Sequence, residues 1–155
     1  MSASRPFILV LHGPNLNALG SREPAIYGAD TLLSIDASLR ARAATLGCDV
    51  LCVQSASEAV LVDAVLDAGR WADGVVINPG ALTHTSVALR DAVLAAGVPV
   101  VECHLSHTDR REAFRRRSWL GPACVGRVQG FGATSYLLAL EGLVAHLARA
   151  HQGGR

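Results

Sequence analysis

Short runs of consecutive apolar residues alternate along this chain with segments whose apolar residues recur every three or four positions. The short runs are Phe7–Leu11, Val50–Gln54, Gly74–Asn78, Val98–Cys103 and Val125–Gln129, lengths that suit buried strands. The periodic segments are Leu32–Leu46, Glu58–Ala68, Ser86–Ala96 and Thr134–Ala150. In the first of these, Leu32, Ile35, Leu39, Ala43 and Leu46 keep helical spacing and Gly47 supplies the stop. Asp30 or Thr31 is the expected cap there, and Thr83 or Thr85 the expected cap of the third helix.

Strands that are apolar on both faces need cover on both faces, so five strand–helix alternations predict a parallel sheet between two helical layers. The economical arrangement is an α/β, flavodoxin-like, doubly wound five-stranded sheet of order 2-1-3-4-5 in three α/β/α layers. The 155 residues make one domain, with a core over about 7–148 and a loose tail expected over 149–155. Right-handed crossovers bring the C-terminal ends of all strands to one edge. His12-Gly13-Pro14-Asn15, Gln54-Ser55, Asn78-Pro79-Gly80 and Glu102-Cys103-His104-Leu105-Ser106 should therefore converge, where such sheets bind ligands.

The segment from His12 to Gly28 leaves the first strand as a long loop, the kind that often serves as a lid. It carries Arg22 five residues before Tyr27, with Pro24 stiffening the path between them. Arginine keeps its proton, so a phenol held beside it is drawn toward phenolate and can act as a base. The plainer alternative, a packed tyrosine and a solvated arginine, holds for such a pair in isolation.

Composition narrows the chemistry. Net charge is +1, which gives no field for nucleic acid or an anionic membrane, and no apolar run reaches the length of a membrane span. All 14 basic residues are arginine, so no side chain can form a Schiff base with a carbonyl substrate. Cys48, Cys52, Cys103 and Cys124 show no C-x-x-C spacing, and the N-terminus carries no signal-peptide pattern. The cysteines read as reduced and structural, in a cytoplasmic protein.

Glu102 and His104 stand at i and i+2 on a strand, so they share a face, and a carboxylate there can orient an imidazole as an acid. A structural pair at a strand end fits the same spacing. Leu105 and Ser106 follow, with backbone N–H groups and a hydroxyl suited to a carboxylate. Asn78 and His84 offer neutral hydrogen bonds to hydroxyl groups, although a turn with an incidental histidine explains that segment alone. Arg110, Arg111, Arg115, Arg116 and Arg117 cluster, and Arg111 and Arg115 share a face at i, i+4. His12, His84, Glu102 and His104 lack compact metal-ligand spacing, and the first loop lacks a G-x-G-x-x-G phosphate cradle.

Taken together, these segments resemble the type II 3-dehydroquinate dehydratases (type II dehydroquinases). The carriers are His12-Gly-Pro-Asn-Leu-Asn, Leu19-Gly-Ser-Arg-Glu-Pro through Tyr27-Gly28, Asn78-Pro-Gly-Ala-Leu-Thr-His-Thr-Ser-Val-Ala-Leu-Arg-Asp91, Glu102-x-His-Leu-Ser106 and Arg111-Glu-x-Phe-Arg115. The resemblance implies anti elimination of water from 3-dehydroquinate through an enolate, without cofactor or metal, in a dodecamer built from trimers. It implies a place in the shikimate pathway of aromatic amino acid biosynthesis, or in quinate catabolism. It makes Tyr27 the base, Arg22 its activator, Asn15 the holder of a water, and His104, paired with Glu102, the acid. Asn78, His84, Leu105, Ser106 and Arg115 are implied to bind substrate, Asp91 to reach a neighbouring subunit's site, and Arg111 to order the lid. The chain departs from the usual pattern at Ala56, Ala59, His107 and Ser135.

Overall fold

The structure, a computed structural model, describes residues 4–21 and 23–153. Five strands, β1 (Phe7–His12), β2 (Asp49–Gln54), β3 (Gly74–Asn78), β4 (Val100–His104) and β5 (Gly126–Gln129), form one sheet of order β2-β1-β3-β4-β5. Every pairing is parallel. The helices are α1 (Pro24–Tyr27), α2 (Leu32–Leu46), α3 (Glu58–Trp71), α4 (Val87–Ala95) and α5 (Thr134–Gly153).

Alternation along the strands builds two cores. Ile8, Val10, Val76 and Val101 face α2 and α5, packing on Ile35, Leu39, Tyr136, Leu140 and Leu143. Leu9, Leu11, Val75, Ile77 and Val100 face α3 and α4, packing on Leu61, Val65, Leu89 and Val93. The central strands β3 and β4 are buried along their whole length, whereas the edge strands β2 and β5 are only partly covered. This is the expected three-layer, doubly wound arrangement.

Several boundaries differ from the sequence reading. Thr31 does cap α2, its side chain accepting from Ser34 N while Ser34 Oγ accepts from Thr31 N. The cap of α4 is Ser86 rather than Thr83 or Thr85, because residues Gly80–His84 first coil into a 3-10 turn. Strand β4 begins at Val100, two residues late, since Pro99 has no N–H to give the ladder. The expected loose tail is helical as far as Gly153: nothing from Leu147 to Gln152 breaks a helix, and His151 Nδ1 donates to the Leu147 carbonyl at 2.9 Å. Among the described residues no helix is long and apolar enough to cross a membrane. All four cysteines are free.

Candidate active site

The strand ends converge because β1 and β3 are sewn together where they finish. Gly13 N donates to the Asn78 carbonyl at 2.8 Å. A Cβ at Gly13 would lie 2.6 Å from the Pro79 carbonyl, and one at Gly80 (φ +57°) 2.9 Å from that of Pro14, so only glycine permits this approach. Immediately beyond, Asn15 adopts a left-handed conformation (φ 70°) that asparagine tolerates. The loop expected between His12 and Gly28 holds two short helical pieces, a 3-10 turn at Leu16–Ala18 and α1, whose first residue is Pro24.

A cleft opens over these ends. Asn15 and Tyr27 line it from the first loop, and Asn78 and His84 from the third junction. His104, Leu105 and Ser106 come from the end of β4, and Thr108, Arg111 and Arg115 from the chain that follows. Of the twelve residues to which the resemblance gives a role, nine thus line one cavity and three remain; Gln54 and Ser55, expected at the same edge, are outside the lining. Glu102 lies behind His104, fully buried. Asp91 is exposed on α4, paired with Arg90, and is absent from the cleft lining of its own chain. Arg22 lies outside the described residues.

Within the cleft wall, His104 Nε2 and Glu102 Oε1 are 2.6 Å apart. The other Glu102 oxygen accepts from Ser118 Oγ, also at 2.6 Å, and Arg127 Nε stands 3.1 Å from Oε1. Burial by itself would push the Glu102 carboxyl up. The hydrogen bond and charge of His104, the Ser118 hydroxyl and the Arg127 guanidinium outweigh it and hold the group below the ordinary carboxylate range. A buried carboxylate kept ionised in this way fixes the orientation of the imidazole in front of it.

Sequence reasoning did not anticipate Ser118, Arg127 or Thr108. Arg127 had a signal, as the one charged residue in an otherwise uncharged strand run; Ser118, after three arginines, had none. Arg127 NH2 donates to Thr108 Oγ1 at 2.9 Å, and Thr108 donates to Gln129 Oε1 at 2.6 Å, tying β5 to the cleft wall.

His84 Nδ1 donates to the Arg117 carbonyl at 2.6 Å. Desolvation, with the nearby His104 and Arg115 charges, lowers its pKa, so the ring is neutral and presents Nε2 as an acceptor. Arg111 and Arg115 sit on a chain that breaks into two 3-10 turns, Thr108–Arg110 and Ala113–Arg115, yet both reach the cleft. Arg111 NH1 donates to Ser106 Oγ at 3.2 Å, and its guanidinium carbon lies 5.2 Å from the centre of the Tyr27 ring.

The fold has counterparts. The model of the Dehydroquinase class II family matches residues 6–144. The chain belongs to the class II dehydroquinase family. The chain is 58% identical over 140 residues to a 3-dehydroquinate dehydratase of Jannaschia sp. (strain CCS1), covering 90% of this chain and 95% of that one. It is 55% identical over 140 residues to the 3-dehydroquinate dehydratase of Nostoc sp. (strain PCC 7120 / SAG 25.82 / UTEX 2576), again with 90% and 95% covered. The crystal structure of the type II dehydroquinase from Butyrivibrio crossotus DSM 2876 superposes with a TM-score of 0.88 at 38% identity, covering 91% of this chain and 99% of that one.

Within this dehydroquinase fold the four departures from the family pattern fall away from the cleft lining. Ala56 and Ala59 are exposed at the start of α3. Ser135 is fully buried, and its Oγ accepts from Phe131 N at 3.0 Å, closing the turn that opens α5. His107 packs its Cβ against Gly130, where a substituted Cβ would lie 3.1 Å away.

Proposed function

We propose that this chain is a type II 3-dehydroquinate dehydratase, a hydro-lyase that converts 3-dehydroquinate to 3-dehydroshikimate by anti elimination through an enolate. The observation that carries this reading is His104, held from behind by the buried Glu102 carboxylate and sharing a cleft with Tyr27, in a member of the class II dehydroquinase family.

The chemistry follows from that arrangement. A proton beside a ketone is weakly acidic, so its removal calls for a strong base and a stabilised enolate. Tyr27, as phenolate, takes the proton, with Arg22 as its activator and the Arg111 guanidinium as a further positive charge near the ring. Asn15 holds a water against the enolate oxygen. As the enolate collapses, the carbon–oxygen bond to the leaving hydroxyl breaks, and His104 delivers a proton to it from the other face, forming water. Tyr27 ends protonated and His104 neutral; one proton passed from the phenol to the imidazole through solvent resets the site. Glu102 engages Nε2 of His104 and so leaves Nδ1 as the nitrogen for proton delivery. Asn78 and His84 bind substrate hydroxyls, and Leu105, Ser106 and Arg115 its carboxylate.

The working assembly is a homododecamer, a tetramer of trimers, in which Asp91 reaches a neighbour's site from its exposed position on α4. The protein is cytoplasmic and serves the shikimate pathway or quinate catabolism. Its partners are the small-molecule substrate and its own copies, with no nucleic acid, membrane or cofactor.

The test is the rise of enone absorbance from 3-dehydroquinate in the absence of added metal. Wild-type protein is expected to turn over, and Tyr27→Phe to lose roughly 10²–10⁴-fold in kcat with an unchanged circular dichroism spectrum. Normal turnover by Tyr27→Phe would overturn the assignment of the base.

A further inference from the structure

Behind the cleft, on the α2/α5 face of the sheet, four polar side chains meet in an otherwise apolar core. His12 and Asn78 are Cα partners across β1 and β3, so their side chains stand side by side on that face. His12 Nε2 lies 2.8 Å from Asp36 Oδ1 on α2, and His12 Nδ1 lies 2.7 Å from the Tyr136 hydroxyl on α5. Asn78 Oδ1 accepts from Gly80 N at 3.2 Å. His12 and Tyr136 are fully buried, and Asn78 almost so.

The donors and acceptors in this row run in one direction. An ionised Asp36 only accepts, so Nε2 of His12 carries the hydrogen. Burial, opposed by Asp36, keeps the imidazole pKa low and the ring neutral, which leaves Nδ1 as an acceptor. The Tyr136 hydroxyl must then donate to Nδ1, which leaves its oxygen lone pairs for a donor. The Asn78 amide, which draws down a phenol pKa raised chiefly by burial, is the neighbour able to supply one. With Asn78 Oδ1 committed to Gly80, the amide turns its NH2 toward the phenol and the cleft. Reversing any member would reverse those beyond it and turn a carbonyl oxygen toward the ligand.

We propose that Asp36, His12 and Tyr136 form a directed hydrogen-bond chain that holds the Asn78 amide with its N–H donors facing the cleft. His12, Asp36 and Tyr136 are then positioning residues for recognition of a substrate hydroxyl, acting from outside the cleft through Asn78. The potential ligand atoms of His12, Asp36 and Cys52 lie within 4.8 Å of one another. In this arrangement the Cys52 thiol, pushed up to about 12 by burial and Asp36, stays protonated beside the same carboxylate. The proposal rests on the dehydratase reading only for its substrate.

The experiment is a double-mutant cycle between Tyr136→Phe and Asn78→Ala, read as KM and kcat for 3-dehydroquinate and as calorimetric affinity for quinate. Tyr136→Phe keeps the buried ring and removes the one oxygen. It is expected to raise KM about ten-fold with kcat changed far less, the signature of lost uniform binding. In the Asn78→Ala background the same change should have almost no effect. His12→Gln, which retains one acceptor and one donor, should stay near wild type, whereas His12→Leu should match Tyr136→Phe. Wild-type KM in Tyr136→Phe, or an equal factor in both backgrounds, would overturn the chain. If Tyr136→Phe fails to fold, Asp36→Ala at the partly exposed end completes the same cycle. A wild-type protein that binds quinate without turning over 3-dehydroquinate refutes the catalytic reading instead, and the cycle is then read from affinity.

Discussion

Glu102 shows how a single residue's state depends on groups distant in sequence. A fully buried carboxylate is costly unless it is hydrogen-bonded and paired, and here His104 and Ser118 hydrogen-bond it while the Arg127 guanidinium stands beside it as counter-charge, from three segments. Arg127→Met retains much of the side chain's length and removes the cation. The variant is expected to lose about 1–3 kcal/mol of stability in urea denaturation at neutral pH. Its acid-unfolding midpoint should move to higher pH, because Glu102 would take its proton more readily. An unchanged midpoint would mean that His104 and Ser118 suffice. The pairing of Glu102 with His104 was legible in the sequence, since i and i+2 on a strand must share a face. Its support by Ser118 and Arg127 was not, since strand order and the course of the loop over 105–125 decide which distant residue arrives. The same limit hid the row from Asp36 to Asn78, whose members come from four different elements.

At the scale of the elements, apolar spacing located every strand and all four longer helices, and the differences are confined to their ends. They trace to local backbone chemistry that periodicity does not report. Proline 99 delays β4, and the 3-10 turn over Gly80–His84 carries the chain past two threonines before α4 can begin. That turn matters to the site, because it swings His84 into the cleft while Ser86 Oγ accepts from Leu89 N at 2.9 Å. Competing caps make a clean comparison. Ser86→Ala removes a buried acceptor at the helix start and is expected to cost about 1–2 kcal/mol in equilibrium unfolding. Thr85→Ala, at an exposed residue whose hydroxyl makes only a long 3.4 Å bond to the Ala81 carbonyl, is expected to change stability by less than about 0.5 kcal/mol. Equal effects would show that the two hydroxyls share the task. The lid was legible as a long loop bearing Tyr27, but not as a 3-10 turn followed by a proline-led helical turn.

For the whole molecule, the two sheet faces carry different polar loads, and both make the fold sensitive to acid. His12 on the α2/α5 face and His84 above the cleft have pKa values depressed chiefly by desolvation from the ordinary 6.5. As pH falls through about 6.5, the unfolded chain binds protons that the folded chain refuses. Stability therefore declines from that point until the folded histidines also titrate, His12 contributing at most about 1.4 kcal/mol per pH unit. Glu102 acts in a second window. Its folded pKa lies below the ordinary 4.5, so its contribution is intact above 4.5 and is lost as pH falls through the folded value. Unfolding free energy measured in urea from pH 8 to pH 3 should hence be flat at the alkaline end, slope downward below about 6.5, and continue to fall beneath 4.5. His12→Gln removes one titrating group while keeping its hydrogen-bonding pattern. It should reduce the first slope to the share left by His84 and leave the second unchanged, and a first slope equal to that of wild type would show that folding does not depress the His12 pKa.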